Sequence, residues 1–417
     1  MRVLLINTSE CAGGAAIAAR RLTDALNRHG EKACLLVRDK QTSAVTTSRL
    51  PHQWLLRLKF LWERLLVFVA NGCSRKGLWE VDAGQAGADI TSLPEFVEAD
   101  VVHLHWVNQG LLSTRQIGKI LASGKPVVWT MHDMWPFTGI CHYARTCELF
   151  QSQCQRCPQL QRPGRHDLSC ASFRRKQQAY AKGHITFVGC SEWIAGEARQ
   201  SALTAGHRVV SIPNTYDSEV FHPAPKGAAR QRMALPATGR LLLFTCQRVS
   251  TPRKGLAYLL DALASPSLKR WQGLLTLVVV GQNAEDVAAE LPFPVITKGY
   301  ITDEAEMAAL YQAVDAFVTP SLEDNLPNTL MEAMATATPC VGFDIGGVPE
   351  MIDHERTGYV ARFCDAEDLA KGIDYVLDGN NHDRLAEAAA HKAATVWNVE
   401  SVVRRYIELY ESLSHKI

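Results

Sequence analysis

Short apolar runs of strand composition alternate with longer segments of helical periodicity along the whole chain, and the alternation starts twice. The first series has strand-like runs at 2–7, 32–37, 100–105, 126–131, 184–189 and 208–212, with helical patterns near 15–28, 53–70, 112–122 and 191–200. The second has strands at 240–246, 274–280, 294–298, 315–319 and 339–343, with helices near 255–264, 303–313, 327–336 and 366–378, and a helical end over 381–414. Such repetition predicts parallel sheets covered by helices, because each parallel crossover needs a long return connection. Between the series, the stretch from Ile212-Pro213-Asn214-Thr215 to His222-Pro223-Ala224-Pro225 is rich in proline and polar residues and marks a break. The expected fold class is therefore α/β, with two Rossmann-like doubly wound domains, 1–215 and 216–395, facing across a cleft lined by the carboxyl ends of their strands. A last helix, 396–417, is expected to cross back onto the first domain.

The charge balance narrows the function classes. Lys plus Arg number 44 against 43 Asp plus Glu, so no overall field recruits nucleic acid. The opening, Met1-Arg2-Val3-Leu4-Leu5-Ile6, reads as a buried first strand rather than a signal peptide, and no segment has the roughly 18 apolar residues of a membrane span. Twelve Cys without an export signal point to thiols or metal ligands in a cytoplasmic protein, not to disulfides.

The densest chemistry lies at Pro320-Ser321-Leu322-Glu323-Asp324-Asn325-Leu326-Pro327-Asn328-Thr329-Leu330-Met331-Glu332. An apolar run, Ala316-Phe317-Val318, ends in a polar loop that opens a helix, with Pro327 suited to its first turn. The amides of Asn328 and Thr329 at the helix start form an anion site, flanked by the carboxylates of Asp324 and Glu332. An anion site between hydroxyl-seeking carboxylates reads as a pocket for a sugar carried on a diphosphate. Upstream, Arg248 and Lys254 frame the loop Gln247–Gly255 after another strand. Two cations there can clamp a diphosphate and stabilise it as a leaving group, the work Mg²⁺ does elsewhere.

This arrangement resembles the donor site of GT-B glycosyltransferases of family GT4, whose motif is Glu, seven residues, Glu. Here Asp324 stands for the first Glu, one methylene shorter. The resemblance implies that Glu332 hydrogen-bonds the ribose, that Asp324 contacts the transferred sugar, and that Asn325, Leu326, Asn328 and Thr329 line the same turn. It implies Arg248 and Lys254 on the diphosphate and Tyr300, in Gly299-Tyr300-Ile301, against the base. The donor is expected to be a UDP- or GDP-sugar, transferred with retention and without a catalytic metal or other cofactor.

In the first half, Cys11-Ala12-Gly13-Gly14 follows the first strand. It is neither G-x-G-x-x-G nor a P-loop, so dinucleotide binding and ATP hydrolysis are poorly supported. The resemblance puts Gly13 and Gly14 beside the donor phosphates. Val127-Val128-Trp129-Thr130-Met131 runs into His132-Asp133, and a His at the carboxyl end of a buried strand can exchange protons or hydrogen bonds near neutral pH. His132 is the expected catalytic-site residue, with Asp133 orienting it or the acceptor. His103 and His105 share one face of a neighbouring strand and rank below it.

Two further features stand out. Cys141-x₅-Cys147-x₆-Cys154-x₂-Cys157 packs four thiols into 17 residues and matches a structural zinc site, a closed set with no open catalytic position. Buried apolar cysteines or a redox pair are the competing readings. With its surroundings this loop also resembles the WcaC-like subgroup of exopolysaccharide and colanic acid biosynthesis. Trp54–Val69 is apolar, aromatic and dotted with basic residues; it reads first as a buried helix and second as a membrane-surface helix. In the second case the enzyme sits at the inner face of the cell membrane and the acceptor is a polyprenyl-diphosphate-linked glycan. Competing functions are another GT-B enzyme, such as a nucleotide-sugar epimerase or a phosphorylase, and a non-catalytic zinc-dependent binding module.

Overall fold

A computed structural model describes residues 1–75 and 77–414. The chain divides into two compact units, Met1–Asn214 with Glu400–Ile417, and Thr215–Val399.

The first unit is built on seven parallel strands: β1 (Arg2–Ser9), β2 (Lys32–Asp39), β3 (Thr47–Arg49), β4 (Val101–Leu104), β5 (Val127–Met131), β6 (Ile185–Gly189) and β7 (Arg208–Ser211). Their order is β3-β2-β1-β4-β5-β6-β7, so the chain winds outward from β1 in both directions. The central strands are buried on both faces, as their unbroken apolar runs require. Trp129, Trp135, Tyr180 and Phe187 fill the core beside β5 and β6, with ring centroids about 6 Å apart. Helix α1 (Gly14–Arg28) follows β1, and helix α2 (Gln53–Ala70) follows β3.

The second unit has six parallel strands: β8 (Arg240–Arg248), β9 (Leu275–Gln282), β10 (Val295–Lys298), β11 (Ala316–Thr319), β12 (Cys340–Phe343) and β13 (Gly358–Ala361). They are ordered β10-β9-β8-β11-β12-β13. Leu242, Phe244, Leu277, Val279, Val318 and Val341 lie in one buried cluster that the helix Ala366–Leu377 covers. Both units are thus the parallel α/β layers expected; β3 (Thr47–Arg49) and β13 (Gly358–Ala361) go unread because neither is a continuous apolar run.

Three local features differ from expectation or add to it. The helix Leu168–Tyr180 was not anticipated, since its polar run SCASFRRKQQA hides the apolar face; Asp167, accepting from the Ser169 and Cys170 amides, was the readable sign. The helical end is two helices, Gly379–Val396 and Val399–Ser414. In the latter, Tyr410 hydrogen-bonds His103 Nδ1 at 2.7 Å and Tyr406 bonds Thr130 at 3.0 Å, fastening it to β4 and β5. Finally, α2 is not buried as first expected. Its inner face carries Leu56, Glu63, Arg64 and Val67. Glu63 accepts from the Gly84 amide at 2.7 Å, and Arg64 pairs with Asp82 at 3.0 Å. Trp54, Leu58, Leu61, Trp62, Leu65 and Val69 are all exposed.

Candidate active site

In the second unit, two loops at the carboxyl ends of β8 and β11 are joined directly. The Leu322 amide donates to the Arg253 carbonyl at 2.8 Å. Gly255 makes the approach possible: its φ is +71°, and a Cβ there would lie 1.8 Å from the Pro320 carbonyl oxygen. Only glycine meets both conditions. The joined loops bring Lys254 Nζ to 2.7 Å from Asp324 Oδ2 and 3.4 Å from Ser321 Oγ. Burial pushes the Asp324 carboxyl up, but the opposing charge and hydrogen bond of Lys254, with Arg253 and Ser321 nearby, hold it below the usual carboxylate range. Asp324 is therefore ionised at neutral pH. Arg248 is exposed at the end of β8, past a bulge between Thr245 and Arg248.

The helix Asn328–Ala335 starts directly after Pro327, which sits in extended conformation at the cap rather than inside the first turn. Asn325, Leu326, Asn328 and Glu332 are buried at this turn, while Thr329 is half-buried. A helix beginning there leaves its first amides outside the helical ladder, with the positive end of the dipole behind them. Tyr311 donates to Glu332 at 3.5 Å. Tyr300 is 41% exposed, and the charge of Glu332 reaches it: burial first, then that carboxylate, raise the phenol. The structure thus brings Lys254, Asp324, Asn328, Glu332 and Tyr300 around one turn. It adds Arg253 and Ser321, which the motif reading passed over and whose signal was only their position beside Lys254 and Asp324.

In the first unit, His132 follows β5 and stands against His105, His132 Nε2 to His105 Nδ1 being 2.9 Å. The rings of His105 and His103 lie 4.3 Å apart, and His103 is locked between Tyr410 and Thr130, 2.8 Å from the latter. Burial lowers His132 to about 4 and His103 to about 3, and pulls His105 well below its usual value. All three are neutral at pH 7, so His132 is a hydrogen-bonding group there and not a cation. Asp133, expected to orient His132 or the acceptor, directs three hydrogen bonds to other groups, while its charge still reaches His132. Asp133 accepts from His142 Nδ1 at 2.7 Å, Trp106 Nε1 at 2.8 Å and the Trp135 amide at 2.9 Å. It stabilises the loop, and His105, ranked below His132 by sequence, is the ring that backs it. Gly13 has φ +91° and caps α1, a tight turn open to side-chain-sized groups.

Cys141, Cys147, Cys154 and Cys157 line one cavity. Burial pushes the Cys141 thiol far up, Cys154 up to about 12 and Cys157 up to about 11. Among the described residues, no three His, Cys, Asp or Glu side chains converge as they lie on a point that could hold a metal. Nor is any helix among them long and apolar enough to cross a membrane.

Residues 239–379 match the family described as glycosyl transferases group 1. Among curated proteins, the chain is 29% identical over 227 residues to a D-inositol 3-phosphate glycosyltransferase of Thermobispora bispora, covering 50% of this chain and 52% of that one. It is 26% identical over 321 residues to an MMP alpha-(1->4)-mannosyltransferase of Mycolicibacterium hassiacum, covering 75% and 70%. The chain thus spans about half the length of the first of these relatives. Among solved structures, a sucrose-phosphate synthase from Thermosynechococcus elongatus superposes with a TM-score of 0.67 at 19% identity, covering 100% of this chain and 99% of that one. HepE of Anabaena, solved with UDP and glucose, superposes with 0.64 at 16% identity, covering 99% and 100%. The fold is that of solved GT-B glycosyltransferase structures, and the match to the glycosyl transferases group 1 family covers residues 239–379.

Proposed function

We propose that this protein is a retaining glycosyltransferase that takes a sugar from a nucleoside diphosphate sugar and adds it to a glycan of a surface polysaccharide. The observation that carries the reading is the turn at which Lys254, Asp324, the start of helix Asn328–Ala335 and Glu332 meet. Its chemistry follows from its parts. The cations Arg248 and Lys254, with the first amides of the helix, receive the diphosphate and stabilise its growing charge as the bond to the sugar breaks. This is the role a metal would otherwise fill, and we assign catalysis without one. Asp324 faces the sugar hydroxyls and Glu332 the ribose, with Tyr300 against the base. HepE of Anabaena was solved with UDP, which makes UDP rather than GDP the first nucleotide to try.

In the first unit, taken by itself, neutral His132 offers a hydrogen-bonding group, and Gly13 and Gly14 offer backbone amides. Transfer is front-side, the departing diphosphate accepting the acceptor proton, so positioning outweighs the need for a strong protein base. The exposed stripe of α2, rimmed by Arg57 and Lys59, supports an acceptor presented at an anionic lipid surface: a polyprenyl-diphosphate-linked glycan at the cytoplasmic face of the membrane. The exopolysaccharide setting follows from the resemblance to WcaC-like enzymes.

The test is thermal stabilisation by UDP, GDP, ADP and their sugars, because a ligand bound only by the folded state raises the midpoint with the logarithm of its concentration over Kd. One nucleotide should shift the protein, and Glu332→Ala should abolish that shift. No shift with any nucleotide sinks the reading.

A further inference from the structure

Between Cys141 and the helix that begins at Leu168 the chain makes only one short helical turn, Leu149–Gln151. This irregular stretch sends Cys141, Ala144, Phe150, Cys154, Cys157 and Leu160 into the core, so three of its four cysteines are held inside the unit. Two of its non-glycine residues, Arg145 and Arg156, take left-handed backbone at φ 55° and 47°, strain that persists only where the surroundings impose it. Arg156 lies inside the Cys154-x₂-Cys157 turn.

All four cysteines of this stretch, Cys141, Cys147, Cys154 and Cys157, line one cavity of about 20 Å³. That is room for a single water or a single ion. No charged side chain contributes to its wall, which Ile140, Ala144, Leu149 and Phe150 complete together with the polar Gln155 and Ser169. A backbone donor is aimed at one of the sulfurs. The Gly139 amide donates to Cys154 Sγ at 3.2 Å. A thiol packed as a small apolar group is a weak acceptor that gains little from such donors, whereas a metal-bound thiolate is oriented and stabilised by them.

We infer that Cys141, Cys147, Cys154 and Cys157 bind one Zn²⁺ as a closed structural site that pins the 141–167 loop. Four sulfur ligands select a soft, tetrahedral ion, and four thiolates leave no position open for catalysis. Binding replaces four S–H bonds by four Zn–S bonds and releases four protons to solvent. The sulfurs lie on the cavity wall without converging on a point, so side-chain rotation draws them in around the ion. None of this depends on the donor site.

The test is metal analysis of the full-length protein after gel filtration in metal-free buffer, with zinc-edge X-ray absorption on the same sample. One zinc per chain with a shell of sulfur alone at about 2.3 Å supports the site. Cys154→Ser and Cys157→Ser should each retain at least about tenfold less zinc, while Cys73→Ser, at an exposed cysteine outside the loop, retains it fully. Because loop variants can unfold, the wild-type absorption spectrum stands as a separate measurement. Folded wild-type protein without zinc, its cluster thiols free or paired as disulfides, overturns the inference; so does a shell containing nitrogen or oxygen.

Discussion

Lys254 donates to the Asp324 carboxylate at 2.7 Å, tying the loop after β8 to the turn after β11 before any donor arrives. Breaking such a largely buried pair leaves one charge uncompensated, which costs about 3–5 kcal/mol where the survivor cannot neutralise itself. Asp324 can do so by taking a proton. In Lys254→Met, burial of its carboxyl is opposed only by Arg253 and Ser321, so the pKa moves up. The variant should therefore lose most stability near pH 7 and recover toward wild type near pH 4. Lys254→Met with Asp324→Asn should be more stable at pH 7 than Lys254→Met alone. Chemical denaturation at the two pH values checks this.

For transfer itself, removing one preorganised charge from a leaving-group site costs on the order of 10²–10³ in kcat. Arg248→Ala should show such a loss at nearly unchanged stability, because Arg248 is exposed. Equal melting temperatures with kcat within a few-fold of wild type would remove Arg248 from the diphosphate clamp.

Gly255→Ala tests the junction of the two loops. The added Cβ meets both a left-handed backbone and the Pro320 carbonyl oxygen. Strain of at least about 1–3 kcal/mol follows from the backbone alone. Nucleotide-induced stabilisation should fall with it, since the loops that carry Lys254 and Asp324 part. Retained donor binding at wild-type affinity would mean the close approach does not position the site.

His103 and His105, both buried, and the half-buried His132 predict an acid-sensitive first unit. Each has a folded-state pKa below the ordinary 6.5, with His132 at about 4 and His103 at about 3. As pH falls from 6.5, the unfolded chain takes up protons that the folded chain refuses. Stability contributed by the neutral rings is complete above 6.5 and declines as pH drops toward 4. Replacing His103 by Gln should flatten the decline of the melting temperature between pH 6.5 and 4. The pH–rate profile of wild type should show no ascending limb from His132 between 5 and 8.

Leu58→Glu with Trp62→Glu changes only exposed positions of α2, so the melting temperature should stay nearly constant, surface changes being worth roughly 0.5 kcal/mol or less. Co-sedimentation with vesicles containing anionic lipid should drop sharply. Unchanged sedimentation would turn the acceptor assignment away from a lipid surface.

Much of this molecule was legible before any coordinates. All strands but β3 and β13 were readable because parallel strands buried on two faces must be continuous apolar runs, and Ala316-Phe317-Val318 is such a run. The donor turn was readable because helix-start chemistry is local: Pro327, Asn328, Thr329 and Glu332 are neighbours along the chain. What tertiary structure alone decided was pairing and exposure. Nothing in the spacing of His105, His132 and Asp133 shows that His132 leans on His105 while Asp133 holds His142 and Trp106, because those contacts cross between strands and loops. The apolar stripe of α2 reads the same whether buried or exposed; the structure turned Glu63 and Arg64 inward to their partners and left two tryptophans and four aliphatic side chains facing out. Local sequence determines what a segment can form, and the contacts made by distant segments determine which of its faces is used.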